Sequence, residues 1–318
     1  MKKGFLGVDC GSVGIKLVLL DENKGVVKKT YLKNQGITET VKKGLENIFT
    51  DDYEVKGVGA TGSGRNFVGM LIGADIIKTE ILAHTIGALS YHPNVKTILD
   101  IGGEDSKIMI IRNGVLEDFI MNQICGAGTG SVVDSIASRM GIKTEDVGYL
   151  ALQSKQQLNF PGKCGVFLQS SVVSRLNAGA SKSDILMGVV NALVNNYIML
   201  GKSINLEPPF IYQGATSQNK AIVKTLEKQL GAKIIVPKYA PYMGAIGIAL
   251  LAQRENGSGT NFKGYKISDR QYISKTKIGD GCDNRCEITS LYERDNYVGS
   301  IGNRCGKCLI NIKNSKIQ

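Results

Sequence analysis

A chain of 318 residues, 42% hydrophobic and 21% charged, has the composition of a globular protein and the length of about two domains. No stretch reaches the ~18 consecutive apolar residues of a membrane span, and Met1 leads into an apolar segment without a cleavable signal pattern, so a cytoplasmic protein away from membranes is expected. Seven cysteines, an odd number scattered along the chain, exclude a small secreted disulfide framework and direct attention to metal binding in a reducing compartment. The net charge of +11 is uneven: residues 259–318 hold eleven Lys or Arg against six Asp or Glu. A solvated basic surface, partly cancelled by metal-bound thiolates, accounts for it without a nucleic-acid partner.

The apolar runs at 4–9 and 15–20 read as strands around a Gly/Ser turn, with a third strand after Lys24-Gly25, a helix near 37–49 and a strand near 54–59. The segment TILDIGGEDSKIMIIRNGVLEDFIM repeats this grammar, with Asn113-Gly114 as a hairpin turn. At an offset of 91 residues Asp9 falls on Asp100, Gly11 on Gly102, Lys16 on Lys107, and Leu17–Leu20 on Ile108–Ile111. A duplication follows, with two similar α/β halves facing each other across a cleft.

Helices fill the second half: Val132, Val133, Ile136 and Met140 share one helical face, Val166, Val173 and Leu176 another, and 183–203 is a long apolar-patterned helix. A strand at 208–212, a helix from about 217 to 230, a strand at 233–236 and a small-residue helix at 243–252 complete the pattern. The expected domains are 1–93, rejoined by the helix 243–252, then 94–242, then a cysteine-bearing appendix at 259–318 beyond a Gly/Ser linker.

Both Gly-rich turns have phosphate-binding chemistry. In GVDCGSVGIK the backbone N–H groups of Gly11, Ser12, Val13 and Gly14 can meet phosphate oxygens, Lys16 can neutralise them, and Asp9 can hold Mg²⁺ through water. DIGGEDSK offers Asp100, Gly102, Gly103, Asp105 and Lys107 in the same way, so that two turns clamp a triphosphate, ATP or ADP. Asp105 or Glu104 is placed to orient an attacking water. Gly214, Ala215 and Asn219 in IYQGATSQNKAI suit an adenosine pocket, and Gly244 in PYMGAIGIAL packs close to the nucleotide.

With these motifs the chain resembles the actin, Hsp70 and sugar-kinase ATPase fold over residues 3–252. EILAHTIGA, Cys125 in MNQICGAGTG and Cys164 in KCGVFLQSSVVS resemble the activators of 2-hydroxyacyl-CoA dehydratases and their benzoyl-CoA reductase relatives, the BadF/BadG/BcrA/BcrD-like ATPases. The resemblance implies an ATPase that is a homodimer with one bridging [4Fe–4S] cluster, two cysteines from each subunit. It takes electrons from a donor such as ferredoxin or flavodoxin and passes a low-potential electron to an iron–sulfur acceptor. Cys125 and Cys164 each precede a helix, with Thr129 and Ser131 as expected caps, and a helix N-terminus lowers a thiol's pKa. Cys10 is expected to be a small filler residue.

The tail carries Cys282 and Cys286, then 18 residues, then Cys305 and Cys308. Four thiolates at this spacing accept Zn²⁺ or a second iron–sulfur cluster, the latter favoured by the redox character of the rest. Dehydratase activators end near the GAIGIALLA helix, so the tail departs from the family. So do Glu104 in place of Gln, Gly126 in place of Ala, and Gln213-Gly214-Ala215 in place of Gly-Gly-Val. These departures leave the acceptor open between a dehydratase-like reductase and a double-cubane-cluster protein. The competing functions are a small-molecule sugar or acid kinase of the same fold, which has no need of Cys125 and Cys164, and a regulatory ATPase bearing a zinc ribbon.

Overall fold

The computed structural model describes residues 1–122, 129–160, 165–255, 259–267, 272–279, 285–294 and 296–302. The chain divides into two compact units, Met1–Glu80 with Ile248–Gln318, and Ile81–Gly247.

The first unit opens with β1 (Lys2–Cys10), β2 (Gly14–Asp21), β3 (Val26–Lys33), α1 (Ile37–Ile48), β4 (Tyr53–Thr61), α2 (Arg65–Ile72) and β5 (Ile76–Ile77). Its sheet runs β3-β2-β1-β4-β5, with β1 antiparallel to β2 and parallel to β4. Gly4–Cys10 of β1 are all buried, as expected of a central strand covered on both faces. Val41, Leu45 and Ile48, spaced along one face of α1, close the core over Leu17 and Leu19 of β2.

The second unit repeats the plan. After α3 (Glu80–Tyr91) come β6 (Thr97–Ile101), β7 (Ser106–Arg112), β8 (Val115–Met121), α4 (Gly130–Arg139), α5 (Val147–Ala151), α6 (Gly165–Asn177) and α7 (Lys182–Leu200). Then follow β9 (Phe210–Gln213), α8 (Lys220–Leu230), β10 (Ile234–Ile235) and α9 (Met243–Glu255). The sheet order, β8-β7-β6-β9-β10, matches that of the first unit strand for strand. The register matches too: Asp9 pairs with Lys16 across β1 and β2, and Asp100 with Lys107 across β6 and β7. Asn113 and Gly114 both have positive φ, 52° and 74°, the tight hairpin turn that Asn-Gly favours.

The division falls at Glu80/Ile81, ahead of the expected 93, because α3 packs onto the second sheet. Ile81 and Ala88 cluster with Ile98, Met109 and Ile211, and Thr85 donates to Met109 Sδ. At its other face Gly247 of α9 sits so close that an added Cβ would fall 1.8 Å from the Ala83 carbonyl oxygen. α7 is long and apolar enough to cross a membrane, but Ile185, Leu186, Val189, Val190 and Val194 are fully buried in the second unit's core. It is a core helix of that unit.

The described part of the tail belongs to the first unit. Thr260 Oγ1 and Asn261 N donate to the two carboxylate oxygens of Asp75 at 2.7 Å, and Lys263 N and Nζ donate to the Ile72 and Met70 carbonyls at the end of α2. Beyond lies an antiparallel sheet of β11 (Tyr272–Ile278), β12 (Glu287–Glu293) and β13 (Asn296–Ile301), in the order β11-β12-β13. Ile267 and Leu291 join the first core with Leu71 and Ile72, and Gly299 rests against Met70.

Candidate functional site

In the first unit the turn after Asp9 is closed by the Gly11 N–H donating to the Gly14 carbonyl at 3.2 Å. Asn34, at the end of β3, braces it twice: its N–H donates to the Val13 carbonyl at 2.9 Å and its Nδ2 to the Gly11 carbonyl at 3.1 Å. Asp9 is 3% exposed, with Lys16 Nζ 3.3 Å from its Oδ2 and Lys16 also 5.3 Å from the Tyr31 ring centroid. Ser12 is exposed at the tip, Gly11 and Val13 half-exposed, Gly14 buried. Gly62, at φ +91°, backs the turn where a Cβ would stand 2.5 Å from the Cys10 carbonyl oxygen and 2.8 Å from Asp9 Oδ1. Burial, then the Asp9 charge, push the Cys10 thiol up to about 12, so it stays a neutral filler.

The second turn keeps the backbone and changes the partners. Gly102 N donates to the Asp105 carbonyl at 2.8 Å. Lys107, 3% exposed, holds Asp105 Oδ1 at 2.9 Å. Asp100, 2% exposed, lies 2.7 Å from His84 Nδ1 of α3, with Gln213 Nε2 3.0 Å from the same ring nitrogen. Tyr197 locks the two strands together, its hydroxyl accepting from Asp100 N at 3.0 Å and donating to the Lys107 carbonyl at 2.6 Å. Burial holds that hydroxyl well above its ordinary pKa, so it remains a donor. Asp105 is half-buried and Glu104 exposed.

Gly214, at φ +86°, packs where a Cβ would meet Asp100 Oδ1 at 2.6 Å, and leads into a one-turn helix, Ala215–Gln218. That turn moves the start of α8 to Lys220. Asn219 is its N-cap, with Oδ1 accepting from Ala221 N at 3.0 Å and Ile222 N at 3.2 Å. Gly244 is buried in the first turn of α9.

Cys125 and Cys164 lie outside the described residues, but the flanks of the Cys125 segment do not. On one side Asn122 N donates to the Ser106 carbonyl at 3.0 Å and its Oδ1 accepts from Ser106 N at 2.7 Å. On the other, Gly130 N and Ser131 N donate to the Gly102 and Gly103 carbonyls, both at 2.9 Å. Both ends are therefore fastened to the second turn. Thr129 occupies the N-cap position of α4 without a side-chain cap, its hydroxyl lying 3.4 Å from that of Ser131. The α4 amides that capping would satisfy go to the turn's carbonyls instead.

Of the tail cysteines only Cys286 is described, half-buried, and no metal-binding group forms among the described residues. Its carbonyl accepts from Gly279 N at 2.7 Å, closing the β11–β12 hairpin, and Gly302, where the description ends, presses on the Glu287 carbonyl. The end of β11, the start of β12 and the end of β13 thus lie at one end of the sheet, and Cys282, Cys305 and Cys308 lie outside the described residues. His84, Gln213, Tyr197 and Asn34 were not foreseen as parts of the site; a histidine within the apolar EILAHTIGA was the only sequence signal.

Among known proteins, the BadF/BadG/BcrA/BcrD ATPase family matches residues 6–252. The (R)-2-hydroxyglutaryl-CoA dehydratase activating ATPase of Acidaminococcus fermentans is 32% identical, covering 79% of this chain and 97% of its own. The crystal structure of component A of that organism's dehydratase superposes with a TM-score of 0.74 at 32% identity, over 80% of this chain and 98% of that one. The activator of 2-hydroxyisocaproyl-CoA dehydratase from Clostridium difficile, solved with ADPNP bound, gives 0.74 at 28%, over 80% and 95%. The duplicated sheets are those of the actin/Hsp70-like ATPase fold, and the tail after residue 252 lies beyond the matched region. This chain belongs to the BadF/BadG/BcrA/BcrD ATPase family.

Proposed function

We propose that the chain hydrolyses ATP to control an iron–sulfur centre shared with a second copy of itself, delivering a low-potential electron to a dehydratase-like or double-cubane iron–sulfur partner. The observation that carries this reading is the fastening of both flanks of the Cys125 segment to the turn Gly102–Ser106. A phosphate group that shifts this turn shifts both ends of the thiol-bearing segment with it. Two relatives with dehydratase-activating names support the partner class.

In this reading the Ser12, Val13 and Gly14 amides and Lys16 bind phosphate, Gly11 closes the turn through its own N–H, and Asp9 holds Mg²⁺ through water. Asp105, oriented by Lys107, positions the attacking water, with Glu104 as the neighbouring carboxylate. Gly214, Ala215, Asn219 and Gly244 border the adenosine, while Asp100, buried against His84, fixes the second turn from below. Thiols 125 and 164 from each of two copies suit the four-thiolate donor set of a [4Fe–4S] cluster, which when bound supplies one-electron carriage at a potential set by its surroundings. Electrons come from a ferredoxin- or flavodoxin-type donor. The four tail cysteines, two close pairs separated by 18 residues, suit a second cluster or Zn²⁺ by their spacing.

Oxygen-free purification tests the proposal. The expected result is a dimer containing iron, with ATPase activity in the absence of added substrate and loss of the shared iron on Cys125→Ala. Iron-free monomer that transfers phosphate from ATP to an added sugar or acid overturns it in favour of a small-molecule kinase.

A further inference from the structure

The tail sheet does more than cover α2. A cavity of about 530 Å³ opens beside the first phosphate turn, lined by Cys10, Gly11 and Ser12 of the turn and by Ser63, Gly64 and Phe67 at the start of α2. Two of its remaining lining residues, Ser274 of β11 and Thr289 of β12, come from the tail, which lies outside the family match. They stand on one face of the sheet: β11 and β12 pair Ser274 with Leu291 and Thr276 with Thr289, and the Thr276 and Thr289 hydroxyls lie 3.0 Å apart. Leu291, on the same face, is buried in the first unit's core.

The wall is held in place at both ends. Lys263 fastens the tail to the last carbonyls of α2, and Gly299 meets Met70 on the same helix. At its other end α2 is joined to the turn, where Gly64 N donates to the Cys10 carbonyl at 2.9 Å and Ser63 Oγ to the same oxygen at 3.4 Å. A displacement of the sheet is thus transmitted to the phosphate turn both across the cavity and along one helix.

We propose that Ser274 and Thr289 are positioning residues of the nucleotide site, through which the tail sets the affinity of the first phosphate turn for ATP. The inference rests on the ATPase reading above. Among the described residues no charged side chain lines the cavity, so the wall acts by shape and hydroxyl hydrogen bonding, not by neutralising phosphate.

The full-length chain carries the test. Ser274→Phe, which fills the cavity, is expected to raise the ATP KM about tenfold with kcat within about twofold, because it crowds a binding element and leaves the hydrolytic carboxylate alone. Lys275→Phe, on the opposite face of β11, leaves both constants unchanged. Ser274→Cys provides a second measurement that needs no bulky side chain: ATP is expected to protect the introduced thiol from alkylation, read by peptide mass mapping. Unchanged KM for Ser274→Phe, or alkylation indifferent to ATP, overturns the inference. Wild-type protein that neither binds nor hydrolyses ATP overturns the ATPase reading instead.

Discussion

His84 Nδ1 stands 2.7 Å from Asp100 Oδ2 in the second unit, whereas Asp9, its counterpart in the first, meets Lys16 Nζ at 3.3 Å. One copy of the repeated aspartate has a buried imidazole beside it, the other the ammonium of its cross-strand lysine. His84→Ala therefore removes the imidazole that lies 2.7 Å from a carboxylate that is 2% exposed. The expected cost is about 2 kcal/mol in urea denaturation, with His84→Gln, which keeps a donor, losing less. Equal stability of wild type and His84→Ala would show that the pair contributes nothing.

Lys16 faces a different test. Lys16→Met keeps the stem over Tyr31 and removes the charge, so the fold should hold while the ATP KM rises about tenfold, ~1.4 kcal/mol of binding. Steady-state kinetics beside a melting curve separates the two effects.

Cys10 makes stability depend on pH at the alkaline end. Its thiol sits at about 12 in the folded chain against an ordinary 9.0. The stabilisation is full below pH 9 and is lost as the pH rises toward 12, since only the unfolded chain ionises in that window. Cys10→Ala should flatten the fall in stability between pH 9 and 11 relative to wild type. Parallel curves for the two proteins would refute the assignment.

Gly247 tests the close crossing of α9 and α3. Gly247→Ala must move a helix, because its Cβ would lie 1.8 Å from the Ala83 carbonyl oxygen. A loss of about 3 kcal/mol is expected, seen as a lower melting temperature. An unshifted melting temperature would mean that the helices part freely.

The two cysteine sets should be separable by metal analysis. On the proposed function, Cys125→Ala is expected to abolish iron shared between two copies and leave metal held by the tail, and Cys305→Ser the reverse. Loss of all metal in either variant would mean a single site.

The first hairpin and its repeat were legible because central strands are apolar runs bounded by glycine turns, and because Asp, Gly and Lys recur in register at 91 residues' distance. The tail sheet was not. Six of the seven residues of β11 are exposed and its lysines alternate with hydroxyls, so burial leaves almost no periodic mark; Ile288 and Leu291 are the buried hydrophobic residues of β12, and they are three positions apart. The place of α3 was hidden for another reason: close helix contact is made by glycine and alanine, which carry little hydrophobic signal. Asn219 was legible as the residue before a helix, and its oxygen caps the first amides of α8.

The shared register of the two turns, Asp9 with Lys16 and Asp100 with Lys107, carries an asymmetry that duplication alone would not produce. In the second copy an imidazole stands beside the aspartate, and the lysine also holds Asp105, a residue with no acidic counterpart in the first copy, where Gly14 stands. Substitutions at homologous positions should then register in different assays, nucleotide kinetics for Asp9 with Lys16 and folding for Asp100 with His84.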